Sequence, residues 1–182
     1  MNASIDFEKS IQKERLVYKG TMFQKIRLFI KSYFLGMLTL LVCLLLFMYM
    51  LFIGSLAGIF LTSLLLLLVI VSMILMNKLV KAEGTGLRKD KTEIIGLLLM
   101  RFPGILRHNC SDKFIYITNQ RRAFTPDKEI VIFLEDKYVY MNMSMAIYGN
   151  VKYVFLAIPY YIKSKLVLRS FYKKIRESAQ AA

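Results

Sequence analysis

One interval dominates the pattern of polar and apolar positions. From Ser32 to Asn77 no residue carries a charge. A helix needs about 20 apolar residues to cross the hydrocarbon core of a bilayer, and this interval is roughly twice that length. A helix on the surface of a soluble domain turns a polar face to water, and this stretch has none to offer. Gly54, Ser55 and Gly58 stand near its middle. The pattern predicts two membrane-spanning helices joined by a tight turn at Gly54–Gly58.

Downstream the period shortens. Ile130–Leu134 is a continuous apolar run. Val139, Met141, Met143, Met145 and Ile147 then alternate with Tyr138, Tyr140, Asn142, Ser144 and Ala146. Period two argues for strands, and Glu135-Asp136-Lys137 between the two runs reads as a hairpin connection. A further strand over Val151–Ile158, after a turn at Tyr148-Gly149-Asn150, and another at Lys113–Thr118 complete an antiparallel meander. From Tyr160 the spacing becomes helical. Tyr161, Val167, Leu168, Phe171, Tyr172 and Ile175 share one arc at about 100° per residue. Lys165, Arg169, Lys173 and Arg176 share the adjacent arc. The apolar arc suits the open face of the sheet, which leaves the four cations as a lipid or partner surface.

The remaining segments read less sharply. Residues 5–31 are expected to be a helical extension of the first span, with Met22, Phe23, Ile26, Phe29 and Ile30 at helical spacing. Glu14–Lys19 as a short strand joining the sheet is the alternative. Thr92–Phe102 is expected as a helix or strand on the core, with Asp90 or Thr92 as cap and Pro103-Gly104 as stop. Gly84-Thr85-Gly86 has a superficial likeness to a phosphate loop but lacks the spacing, so a flexible joint is expected there. The organisation is then a basic juxtamembrane segment (1–31), a two-helix transmembrane hairpin (32–77), a linker (78–91) and a cytoplasmic α+β domain (92–182). The fold class is a membrane α-helical hairpin plus a small α+β domain, an antiparallel meander with a C-terminal helix.

Charge sets the expected orientation. The 182 residues carry a net charge of +14. Lys25, Arg27 and Lys31 precede the apolar run, and Lys78 and Lys81 follow it. Basic residues beside membrane spans favour the cytoplasmic side, so both termini are expected inside a bacterial inner (plasma) membrane, in a multi-pass arrangement. Cys43 lies within a span and Cys110 in the soluble region, which argues against a disulfide between them. A basic protein at a membrane has anionic lipid as its obvious partner. No nucleic-acid motif accompanies the charge, so no nucleic acid is expected.

Catalytic chemistry finds little material. His108, the single histidine, stands two residues from Cys110, which would place both on one face of a strand. A thiolate–imidazole pair needs more than that coincidence. One His and one Cys fall two ligands short of a structural zinc site. The spacing of Asp112, Asp127 and Glu129 does not fit a calcium loop. Arg121-Arg122 is a candidate phosphate contact. The reading is of a non-enzyme with no cofactor and no metal.

The strand pair EIVIFLEDKYVYMNMS, the segment YVFLAIP ending in Ile158-Pro159, and the closing helix YYIKSKLVLRSFYKKI together resemble the C-terminal part of YcxB-like bacterial membrane proteins. That resemblance covers roughly residues 129–176 plus the hairpin. It implies a two-span anchor and a cytoplasmic domain similar to pleckstrin-homology folds, with no catalytic residues to carry over. The expected function is that of an inner-membrane-anchored regulatory or scaffolding protein whose cytoplasmic domain binds a protein partner or anionic lipid. The alternative is a membrane-disrupting effector of a bacterial defence or toxin system, since the layout also looks like membrane effectors of antiphage signalling. Homo-oligomerisation stays open in either case.

Overall fold

The computed structural model describes residues 5–102, 106–118, 127–147 and 151–180. Two helices within it, α2 (Met22–Ile53) and α3 (Leu56–Leu75), contain segments long and apolar enough to cross a membrane: Tyr33–Ile53 and Leu56–Leu75. Each end of this hairpin is closed by local chemistry. At the start of α2, the Thr21 hydroxyl accepts from the Gln24 N–H at 3.4 Å, while Gln24 Oε1 accepts from the Thr21 N–H at 3.1 Å. This reciprocal cap satisfies two helix-end donors.

At the far end, Gly54 takes a left-handed conformation (φ 73°) and ends α2. The Ser55 N–H returns to the Met50 carbonyl at 3.2 Å, and the Ser55 hydroxyl caps α3 by accepting from the Gly58 N–H at 3.3 Å. Such closure matters in a bilayer, where an unsatisfied backbone group costs several kcal/mol. The turn is therefore Gly54-Ser55, and Gly58 already belongs to α3. A Cβ at Gly58 would meet Met50 Sδ at 2.5 Å, so this glycine serves close approach of the two helices.

The sheet has six antiparallel strands in the order β1-β5-β4-β3-β2, with β6 also paired to β5. The strands are β1 (Val80–Glu83), β2 (Leu106–Cys110), β3 (Phe114–Thr118), β4 (Asp127–Leu134), β5 (Tyr138–Ile147) and β6 (Val151–Lys152). β2 to β5 form the expected meander, and the β4–β5 connection is the Glu135-Asp136-Lys137 turn, closed by the Glu135 N–H on the Tyr138 carbonyl at 2.9 Å. The alternation read in the sequence sorts the two faces. Ile115, Ile117, Ile130, Ile132, Val139, Met141 and Met143 face α4 (Leu87–Arg101) and α5 (Ala157–Gln180). Val131, Phe133, Tyr140, Phe114 and Tyr116 face the opposite way.

On the first face, α5 contributes Val167, Leu168, Phe171 and Ile175, as its periodicity predicts. Tyr172 leaves the arc and is exposed, and Tyr160 takes a buried place instead. α4 adds Ile94 and Leu98. It is tied to α5 by Arg101 Nη2 donating to Ser170 Oγ at 2.7 Å and by an ion pair between Lys174 and Glu93.

Four expectations need correction. The stretch 78–91 is not a loose linker. Val80–Glu83 pairs with Met141–Tyr138 as an edge strand, and α4 begins at Leu87. The Gly84-Thr85-Gly86 loop does hold an anion, but it is the chain's own buried Asp90. The Asp90 carboxylate accepts from the Thr85 N–H at 2.9 Å, the Thr85 hydroxyl at 2.9 Å and the Gly86 N–H at 3.1 Å. A side chain at Gly84 would collide with that carboxylate. The strand expected over Val151–Ile158 stops at Lys152, because a 3-10 turn at Val154–Leu156 leads directly into α5.

The fourth correction concerns residues 5–31, which are not one helix. α1 (Phe7–Gln12) and an extended return cover the second face of the sheet, and α2 starts only at Met22. Phe7 packs edge-on against Phe133 with ring centroids 5.4 Å apart. The Glu14–Lys19 stretch makes two isolated bridges, Arg15 to Lys78 and Tyr18 to Ile5, rather than a sheet strand. Pro103-Gly104, Arg121-Arg122 and Tyr148-Gly149-Asn150 lie outside the described residues.

Candidate functional site at the base of the hairpin

The end of α3, the start of the span in α2, the N-terminal segment and β6 converge at one place. Three sets of contacts hold the domain there. First, the N-terminal return pairs with the chain leaving α3: the Leu16 N–H donates to the Asn77 carbonyl and the Leu79 N–H to the Glu14 carbonyl, both at 2.9 Å. Second, Asn142 of β5 reaches up from the sheet. Its Nδ2 donates to the Lys78 carbonyl at 2.8 Å and to the Met76 carbonyl at 3.3 Å, satisfying carbonyls that the end of α3 leaves free. Third, Val154 and Ala157 pack into the hairpin with Val69 and Met76.

A polar chain runs through this junction. Lys152 is 1% exposed. Its Nζ donates to Asn77 Oδ1 at 2.8 Å, and Asn77 Nδ2 donates to the Tyr33 hydroxyl at 2.8 Å. Burial pulls the Lys152 ammonium below the ordinary lysine range, while the charge of Glu129 and then Tyr33 oppose that shift. Glu129 itself accepts from the Tyr116 hydroxyl at 3.2 Å. Burial, with Glu129 and Tyr33 adding to it, pushes the Tyr18 phenol well above the usual tyrosine range. The phenol therefore stays protonated at any physiological pH.

Beside this chain lies a cavity of about 300 Å³. Lys13, Arg15 and Lys25 supply cationic walls, Leu28 and Phe29 an apolar wall, and Tyr18, Tyr33 and Asn77 hydroxyl and amide groups. Among the described residues no carboxylate lines it.

The four cations singled out in the sequence lie apart from this junction, on α5. Lys165, Arg169, Lys173 and Arg176 are all exposed. Lys173 pairs with Glu177 at 3.6 Å, and the Lys165 ammonium sits 5.0 Å from the Tyr161 ring centroid. The outward stripe that carries them begins with apolar residues. Phe155 and Ile162 are 53% and 50% exposed, and Leu166 is exposed as well. In β2, Arg107 pairs with Ile117 and Asn109 with Tyr116, so a bulge at His108 interrupts the alternation behind the His108–Cys110 pairing. Among the described residues no three His, Cys, Asp or Glu side chains cluster as metal ligands.

Sequence reasoning missed the junction. Asn77 is the only carboxamide side chain between Ser32 and Asn77, and it marks the end of the apolar run. That was a usable signal. Nothing local distinguishes Lys152 from a surface lysine, since its burial depends on a pairing with Ala146 and a contact with a residue 75 positions away.

No family model, curated protein or solved structure matches the chain. The YcxB-like resemblance therefore rests on the residues alone.

Proposed function

We propose that this chain is a regulatory or scaffolding protein of the bacterial inner membrane, anchored by α2 and α3 with both termini inside. Its α+β domain engages anionic lipid at the inner leaflet through α5. The observation that carries this reading is the rigid junction. Paired backbone groups on both sides of α3's end, and Val154 set between the spans, hold the domain against the hairpin rather than on a free tether. With the domain held this way, one side of α5 is turned outward.

That side combines the exposed Phe155, Ile162 and Leu166 with Lys165, Arg169, Lys173 and Arg176. Apolar residues followed by cations are what an interfacial surface needs. Each cation near an anionic leaflet adds about 1 kcal/mol of attraction. The spans offer no charged or hydrogen-bonding stripe for a pore. The hydroxyls of Thr39, Thr62 and Ser63 donate to carbonyls of their own helices at 2.7–2.8 Å. This favours an anchor.

The test uses the full chain in phosphatidylcholine bilayers with and without phosphatidylglycerol. Amide exchange in α5 should slow in the anionic bilayer, and salt should reverse the effect. Changing Lys165, Arg169, Lys173 and Arg176 to Glu should remove the difference. Equal exchange in both bilayers rejects lipid engagement by α5 and leaves scaffolding of a protein partner. Dye leakage from these vesicles would favour a membrane-disrupting effector instead.

A further inference from the structure

The cavity at the hairpin base has a built-in polarity that the α5 surface lacks. The order of donors along its inner chain is fixed from one end. A lysine ammonium has three donors and no acceptor. Lys152 must therefore face an acceptor, which places Asn77 Oδ1 toward it and Asn77 Nδ2 toward Tyr33. The Tyr33 oxygen accepts that bond, so its own O–H is left to donate elsewhere, and Tyr33 lines the cavity. The Lys152–Asn77–Tyr33 order thus leaves the Tyr33 hydroxyl as a donor at the cavity. Tyr18, held in its protonated form, adds a second phenol to the wall. Lys13, Arg15 and Lys25 supply full charges, with no carboxylate among the described lining residues to neutralise them.

Depth narrows the choice of anion. Tyr33 opens the membrane-spanning part of α2. On a helix rising 1.5 Å per residue, Phe29 lies about 6 Å and Lys25 about 12 Å outward from it. The polar layer outside the hydrocarbon core is about 5–8 Å deep on each side. Leu28 and Phe29 therefore lie level with the headgroup layer, while Lys25 lies outside it with a side chain long enough to reach back, so the apolar wall is available to a glycerol portion and the cations to a phosphate. The exposed Ile30 on the same stretch of α2 fits immersion at that depth.

We propose that this cavity is a binding site for the phosphate-bearing headgroup of an anionic membrane lipid, held by Arg15, Lys13 and Lys25 with Tyr33 as directed donor. The site is separate from the α5 surface, and either assignment can fail while the other stands.

The test uses the full chain in non-ionic detergent, with unfolding followed on heating against added short-chain phosphatidic acid. Saturable stabilisation is expected, with short-chain phosphatidylcholine giving none. Inorganic phosphate should bind at least tenfold more weakly, because it has nothing to place against Leu28 and Phe29. Combined Arg15→Gln and Lys25→Gln, both at exposed positions, should weaken phosphatidic acid binding at least tenfold. Tyr33→Phe should weaken it severalfold, and since this change also strands the Asn77 Nδ2 donor, binding is read as the ligand-induced shift from that variant's own melting temperature. The variant with four reversed α5 charges should bind as the unaltered chain does. Unchanged affinity in the Arg15/Lys25 variant overturns the site. Equal affinity for inorganic phosphate overturns its assignment to lipid. Loss of saturable binding in the α5 variant alone would move the lipid site to α5.

Discussion

Val154 occupies the space that the missing side chain of Gly36 leaves open. A Cβ at Gly36 would fall 2.7 Å from Val154 Cγ2 and 3.2 Å from Met73 Cγ. Val154 is fully buried and its branched side chain is short, so it has little room to give way. This contact sets a residue of the domain between the two spans. Gly36→Ala should therefore cost about 1–3 kcal/mol through overpacking. Val154→Ala should recover part of that loss in the double variant, although alone it is destabilising. Thermal unfolding of the four proteins in one detergent gives the coupling. Additive effects would show that the two residues do not share this space.

The sheet–helix contact makes a second prediction. Phe171 is fully buried beneath the sheet, in the core that includes Leu168 and Ile175. Phe171→Asp buries a carboxylate with no cation provided for it and should cost several kcal/mol. Lys174→Gln on the same helix acts at a partly exposed position that includes the ion pair with Glu93 and should cost about 1 kcal/mol or less. Denaturant unfolding should rank them in that order. A Phe171→Asp protein as stable as the unaltered chain would mean that α5 does not cover this face.

The contrast between α5 and Val151–Ile158 shows what the sequence could convey. Phe171, Ile175 and their neighbours repeat at helical spacing over many residues, and the pattern predicts both the helix and its buried face. Val151–Ile158 is equally apolar, but its residues serve three different surroundings. Lys152 pairs with Ala146 in the sheet, Val154 enters the hairpin, and Ala157 starts a helix. A short apolar run cannot reveal which partner each residue will meet. The same limit hid the role of residues 5–20. Their apolar positions, Ile5, Phe7, Ile11 and Leu16, are explained by a sheet face more than a hundred residues downstream. The hairpin was plain because one uninterrupted apolar composition marks both helices, whatever they pack against. The cavity was not, because its lining comes from three separate stretches.

Lys152 predicts a pH dependence. Its folded-state pKa lies below its unfolded value, so the unfolded chain binds more protons between the two values. Stability contributed by this group must then rise with pH across that window, up to about 10.5. Lys152→Met removes the titration. The stability of the variant minus that of the unaltered chain should fall as pH rises through that window toward about 10.5. Glu129 and Tyr33 act on the group and are kept in both proteins, so their own contributions largely cancel in the difference. A difference that is flat in pH would show that Lys152 keeps an ordinary pKa when buried.

The N-terminal segment makes the last prediction. Leu16 is buried against the second face of the sheet, with Val131, Phe133 and Tyr140 in the same cluster, and Phe7 stacks edge-on to Phe133. These residues precede α2 in sequence but complete the domain that follows α3. A fragment of residues 92–182 would lack this cover and also lack β1, leaving Phe133 and Tyr140 exposed on an open face. Leu16→Ala should cost the full chain about 2–5 kcal/mol, as buried leucine truncations do. Its effect should appear in amide exchange of β4 and β5, which lie across the interface, as much as in residues 5–20. Lys19→Ala, exposed on the same segment, should leave both unchanged. If Leu16→Ala speeds exchange only within the N-terminal segment, the segment is an appendage and the domain stands without it. If β4 and β5 respond together with it, one cooperative unit extends from both sides of the hairpin.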